Sequence, residues 1–169
     1  MKNIKYNKNM NYISNIHTHT IYCDGKNTLE KNILYAIEKN FISLGFSGHS
    51  YLPFDSSSMS RENTIKYFED IKKFKNIYKD KMQIYSGIEA DYYSNINADM
   101  NLDYRIGSVH FIKDNENNYF SIDSSKQNFE NTLKYFGSIK KVVLRYYNNL
   151  IDMINTQKPD IRLVSKVIF

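Results

Sequence analysis

A chain of 169 residues, 41% hydrophobic and 15% aromatic, is long enough for one globular domain (1–169) with a sizeable core and too short for two. Its net charge of +5 and pI near 9.1 allow phosphate-bearing partners, yet the lysines are scattered beside acids (Lys66, Lys72, Lys73, Lys75 and Lys79 around Glu69 and Asp70), which argues against a dedicated nucleic-acid surface. One cysteine, Cys23, excludes an internal disulfide, no apolar run approaches the roughly 20 residues of a membrane span, and Met1 to Asn11 lacks the apolar segment of a secretion signal, so a cytoplasmic protein is expected.

Tyr12 to Ile16 reads as a short strand, followed by an amphipathic helix from Asn27 to Asn40 with Leu29, Ile33, Leu34 and Ile37 at helical spacing. Phe41 to Phe46 is a second apolar strand. A serine-rich loop, Ser50 to Ser60, leads to a long helix, Arg61 to Tyr78, with Ile65, Phe68, Ile71 and Ile77 as its expected buried stripe. Met82 to Ile88 supplies a third strand, with Glu89 and Asp91 just beyond it, and Tyr104 to Val109 a fourth. Phe111 to Ile122 has the pattern of a hairpin around Asp114 to Asn118, and Asn128 to Phe136 and Ile139 to Ile154 read as helices. Strands alternating with helices at this spacing indicate an α/β fold with parallel β/α units.

The four histidines of the chain all fall at the ends of these strands: His17 and His19 in His-Thr-His-Thr, His49 in Gly-Phe-Ser-Gly-His-Ser, and His110 in Ile-Gly-Ser-Val-His-Phe. Parallel α/β folds place their ligands at the carboxyl ends of the strands. Side chains two residues apart on extended chain point the same way, so His17 and His19 can grip one ion together. A single histidine at a strand end is ordinarily a hydrogen-bonded structural residue. Four at successive strand ends, with none elsewhere, make separate structural roles a poor account. With Glu89 as a bridging carboxylate, {His17, His19, His49, Glu89, His110} has the composition of a multinuclear hydrolytic centre, for which zinc, manganese or iron is suited. Asp24 is a further candidate ligand, although Cys-Asp-Gly is also an ordinary turn sequence, and Asp91 reads as readily as a loop acid or helix cap.

His-Thr-His-Thr, Gly-Phe-Ser-Gly-His-Ser, Gly-Ile-Glu-Ala-Asp-Tyr and Ile-Gly-Ser-Val-His-Phe-Ile, in this order, resemble the polymerase and histidinol phosphatase (PHP) superfamily, and within it the PHP-type histidinol-phosphatases. The resemblance implies a distorted (β/α)7 barrel holding up to three divalent ions, and hydrolysis of a small phosphorylated metabolite, histidinol phosphate. Carried over by position, His17, His19 and Glu89 hold one ion, Glu89 bridges to a second at His110, and His49 serves the third, with Asp24 in place of a histidine that many relatives have. His17, His19, Glu89 and His110 are the expected catalytic set. Members of the family continue with further ligands and strands after the position of Lys158-Pro159-Asp160-Ile161, where this chain reads Arg162 to Phe169. An incomplete barrel lacking its C-terminal strands is therefore expected, with helix faces such as Val142, Val143, Tyr146 and Ile151 left unpartnered and little phosphatase activity from these residues alone. Arg61, Arg105 and Arg145 are candidate cations for the phosphate. Two other readings compete: a PHP phosphoesterase acting on nucleotides or nucleic acid, and a non-catalytic fragment.

Overall fold

A computed structural model describes residues 13–96 and 101–164; Tyr12, the first eleven residues and Ser165 to Phe169 lie outside them. Five strands, β1 (Ile13–Asn15), β2 (Phe41–Phe46), β3 (Gln83–Asp91), β4 (Tyr104–Ser108) and β7 (Ile161–Arg162), pair in parallel in that order. The sheet curls into a half-barrel, the incomplete α/β barrel expected from the sequence. A separate antiparallel hairpin, β5 (Phe111–Lys113) and β6 (Tyr119–Ser121), follows β4. Among the described residues no helix is long and apolar enough to cross a membrane.

Among the described residues there are four helices: α1 (Leu29–Glu38), α2 (Arg61–Ile77), α3 (Lys126–Phe136) and α4 (Ile139–Thr156). Each starts behind a hydroxyl residue, Thr28, Ser60, Ser125 or Ser138, whose side chain accepts a backbone N–H three residues on. Gly137, at φ 76°, closes α3 in the left-handed conformation.

The helices bury faces that differ from the expected ones. Leu29, Ile33 and Ala36 are the buried residues of α1, whereas Leu34 is exposed. On α2 the buried stripe is Thr64, Tyr67, Ile71 and Phe74, while Ile65 and Ile77 face solvent and Phe68 is half-buried. Steps of three, four and three residues stay on one side of a 3.6-residue helix. The anticipated spacing of 65, 68, 71 and 77 drifts around it. Val142 and Tyr146 of α4 are also buried, in a cluster with Val109, Ile112, Ile122, Phe129 and Phe136, so the hairpin and α3 supply the partner that was expected to be missing; Ile151 is exposed.

Tyr67 is fully buried beneath the site. Its hydroxyl accepts the Gly48 N–H at 3.2 Å and donates to the Gly87 carbonyl at 3.0 Å, joining the segment after β2 to β3. Tyr67→Phe leaves both backbone groups without this partner and should lower stability by about 1–3 kcal/mol, measured by denaturant unfolding. A loss under about 0.5 kcal/mol would show that the hydroxyl contributes nothing net.

The hairpin turn is organised by Asp114. Its Oδ1 accepts the N–H groups of Glu116 (2.8 Å) and Asn118 (2.9 Å), and its Oδ2 accepts from Tyr135 Oη (2.6 Å) and Asn118 Nδ2 (2.8 Å). The Tyr135 hydroxyl and the Asn118 amide hold this carboxyl well below the usual range. A depressed folded pKa lends stability that is present above the unfolded value of about 3.9 and is lost as pH falls through the folded one. The difference in melting temperature between wild type and Asp114→Asn should therefore be constant above about pH 5 and close below about pH 4. A gap that persists unchanged in acid would mean that charge plays no part in the turn.

Candidate metal centre

Glu89 is the hub of the site. It lies in β3 and not, as expected, after it: the strand runs on through Asp91, so both acids are held by the sheet. The β2–β3 ladder also continues past β2, with Glu89 N–H donating to Gly48 O at 3.1 Å and Ser50 N–H to Glu89 O at 2.8 Å, which sets His49 opposite Glu89. On the other flank Glu89 pairs with Ile106 and Asp91 with Ser108, which puts His110 just beyond the end of β4. His17 and His19 follow β1, two residues apart, and both reach the same carboxylate oxygen.

All six predicted site residues converge. Glu89 Oε2 lies 3.0 Å from His17 Nε2, 3.0 Å from His19 Nε2 and 3.3 Å from His49 Nδ1, while Oε1 lies 3.0 Å from His110 Nε2. Asp24 Oδ1 is 2.7 Å from His19 Nδ1, and its Oδ2 is 3.6 Å from His49 Nε2. Glu89 is 1% exposed, whereas the histidine side chains keep between 15% and 35% of their surface. The acid is thus sealed at the base and the imidazoles open toward solvent.

Electrostatics follow from this crowding. Burial alone would raise the Glu89 carboxyl, but the hydrogen bonds from His110, His17 and His19 hold it far below the ordinary range. Burial lowers His49, with His19 and His110 adding to the effect. For His19 burial also opposes protonation, yet contacts with Cys23, Glu89 and Asp24 raise it to about 11; for His110 the same opposition is overcome by Asp123 and Glu89, to about 10.

His17 Nε2 and His19 Nε2 face one another at 3.1 Å, each also 3.0 Å from Glu89 Oε2. Three donor atoms at 3.0–3.1 Å match the spacing of ligands around one tetrahedral ion with bonds of about 2.0–2.1 Å, which is about 3.3 Å. Three overlapping groups have their donor atoms within 4.8 Å of one another: His17, His19 and Glu89; His19, Asp24 and His49; and His49, Glu89 and His110. Nitrogen and carboxylate donors in this mixture fit zinc, manganese or iron.

Two acids outside the expected ligand set complete the surroundings. Asp123 Oδ2 is 2.8 Å from His110 Nδ1. Asp91, buried, accepts the N–H groups of His110 (2.9 Å) and Tyr93 (2.8 Å), one on each oxygen; burial raises its carboxyl to about 6 against these bonds. A cavity of about 340 Å³ opens beside the histidines, walled by Asp24, Asp55, Ser57, Phe111, Ser121 and Asp123. The candidate arginines lie elsewhere: Arg145 donates to Lys113 O at 3.2 Å and covers the Phe136 ring, Arg61 covers Tyr51, and Arg105 is on β4 with its N–H bonded to Asp160.

A parallel α/β half-barrel with histidines and a buried glutamate gathered at its strand ends defines a candidate metallohydrolase class. The family described as the PHP domain matches residues 15–165, and the chain belongs to it. It is 28% identical over 157 residues to the histidinol-phosphatase of Bacillus subtilis, covering 82% of this chain and 58% of that one. Against a protein named probable histidinol-phosphatase from Schizosaccharomyces pombe it is 25% identical over 166 residues, with 85% and 52% covered. The crystal structure of a candidate histidinol phosphatase from Listeria monocytogenes superposes with a TM-score of 0.70 at 21% identity, covering 85% of this chain and 62% of that one, a likeness of fold. The chain spans a little over half the length of the curated relatives it matches.

Proposed function

We propose that the chain provides the metal-binding part of a phosphomonoesterase that splits histidinol phosphate into histidinol and phosphate, a cytoplasmic step of histidine biosynthesis with a small metabolite and no nucleic acid as partner. The observation that carries this reading is the convergence of four histidines on one buried glutamate beside a cavity of metabolite size. The names of the two curated relatives supply the substrate.

His17 and His19 with Glu89 would hold one divalent ion and His110 with Glu89 a second, while Asp24 and His49 would offer donors to a third. Bound there, such ions polarise phosphoryl oxygens and lower the pKa of water. The chain's own residues fix the donors in place: Asp91 grips the His110 backbone, and the sheet ladder sets His49 against Glu89. Asp24, Asp55, Asp123 and the serines line the cavity with no lysine or arginine among them. Among the described residues lining it, none offers a phosphate a side-chain ammonium or guanidinium, which would leave its charge to the ions. The acid-lined wall in turn suits a leaving group that carries a positive charge, as an amino alcohol does.

The test is phosphate release by the purified chain, with manganese or zinc added, from histidinol phosphate, from adenosine monophosphate and from a 5′-phosphorylated oligonucleotide. Metal-dependent release fastest from histidinol phosphate supports the reading. Preference for either nucleotide substrate moves the chain to a nucleic-acid or nucleotide phosphoesterase. Bound ions with no release above the Glu89→Gln background from any of the three assign it a metal-binding role without turnover.

A further inference from the structure

We propose that Asp123 is a positioning residue for His110, holding the imidazole so that Nε2 presents its lone pair to the metal centre. The inference rests on the metal-binding reading above and adds a residue to it.

His110 lies between the end of β4 and the start of β5, outside both strands. It is tethered at three points instead. Its N–H donates to Asp91 Oδ2 at 2.9 Å, its carbonyl accepts the Ile122 N–H at 3.0 Å, and its ring Nδ1 meets Asp123 Oδ2 at 2.8 Å. The first two contacts fix the backbone and leave the ring free to turn about its side-chain bonds. Asp123 restrains the ring itself. An ionised carboxylate only accepts, so the proton it meets sits on Nδ1. With its proton held on Nδ1 by the Asp123 contact, His110 would be left with Nε2, the atom that faces Glu89 Oε1 at 3.0 Å, free to offer its lone pair to an ion.

The hairpin delivers Asp123. Pairing of Phe111 with Ser121 brings residue 122 back beside His110, and Asp123 leaves the strand pair next to the ring. Thr132 of α3 donates to Ser121 O at 3.0 Å, which anchors that strand end. Asp24 makes the matching contact to His19 Nδ1 on the opposite side of the cluster, at 2.7 Å, but it also lies 3.6 Å from His49 and belongs to a ligand group. Asp123 belongs to none of the three groups, so its contact with His110 can be altered without removing a donor.

The experiment compares zinc and manganese uptake by wild type, Asp123→Asn and Asp123→Ala, in competition with a chromogenic chelator, alongside the melting temperature of each metal-free chain. Histidine ring protonation in the zinc-loaded proteins is read by long-range nitrogen–proton NMR. The alanine variant should lose about 10–100-fold in affinity for one ion, more than any fall in its metal-free stability accounts for, with the other sites unchanged and with His110 no longer confined to the Nδ1–H form. The asparagine variant, whose amide oxygen still accepts the Nδ1–H, should lose less. Alanine and wild type binding equally, with the same His110 signal, overturns the role of Asp123 alone. A loss matched by an equal fall in metal-free stability in both variants makes Asp123 a fold residue and overturns it too. A wild-type chain that takes up no ion overturns the metal centre itself, and the role of Asp123 with it.

Discussion

Glu89→Gln should reduce the affinity of the chain for zinc or manganese by on the order of 100-fold or more, the largest effect expected of any single change at the site. Loss of an orienting partner outside the ligand set already reduces metal affinity by about 10–100-fold, and Glu89 is central to the donors themselves. Its Oε2 faces His17, His19 and His49 and its Oε1 faces His110. The amide keeps the shape but presents one acceptor in place of two and points an N–H₂ at a nitrogen that must offer a lone pair. It also removes the buried negative charge that faces all four rings. The measurement is metal content by mass spectrometry after dialysis against a weak chelator, with circular dichroism to confirm that the variant folds. A folded Glu89→Gln chain that retains its ions at wild-type affinity would remove Glu89 from the centre, and with it the bridging arrangement.

The site was legible because its residues obey short-range rules. Period two joins His17 to His19 before any fold is known, and parallel pairing of successive strands brings His49, Glu89 and His110 to one end of the sheet. Asp123 escaped because its place depends on hairpin register: it is 13 residues from His110 and returns to it only through the Phe111 to Ser121 pairing. The available signal was the hairpin itself, whose two strands imply that residues on either side of them meet. Glu89 and Asp91 lie inside β3 and not beyond it, although charges seldom lie inside a strand buried on both faces. Here each acid has partners within the fold, the imidazoles for Glu89 and two backbone N–H groups for Asp91.

The tyrosines were the other silent feature. Among the fifteen, Tyr67 belongs to the true buried stripe of α2 and Tyr104 ties strand ends together through its hydroxyl. A buried hydroxyl bonded to two backbone groups of distant strands has no local sequence signature, since its partners are set by sheet order and not by neighbouring residues.

Gly87→Ala should lower stability by about 3 kcal/mol and weaken the metal centre from a distance. A Cβ on Gly87 would stand 2.2 Å from Cζ of Tyr104, and one on Gly45 would stand 2.4 Å from its hydroxyl, so the ring lies in a slot that these two glycines leave open. That hydroxyl lies 2.5 Å from the Ile16 carbonyl and 3.1 Å from that of Phe46, sharing its proton between the ends of β1 and β2. Ile16 immediately precedes His17. Insertion of one methyl group into a filled site costs about 1–3 kcal/mol, and displacement of the ring adds the loss of a buried hydrogen bond at about 0.5–1.5 kcal/mol. His17 would then lose the anchor of the residue before it, and the ion held with His19 should bind less tightly, while the group formed by His49, Glu89 and His110 is affected less. Urea unfolding of the metal-free chain measures the first effect and chelator competition the second. Tyr104→Phe, which keeps the ring and removes only the hydroxyl, should show the smaller stability loss of the two, and Tyr104→Leu placed on Gly87→Ala should recover part of the stability by vacating the slot. A Gly87→Ala chain within about 1 kcal/mol of wild type would mean that the ring moves aside freely and that Tyr104 does not hold His17 in place.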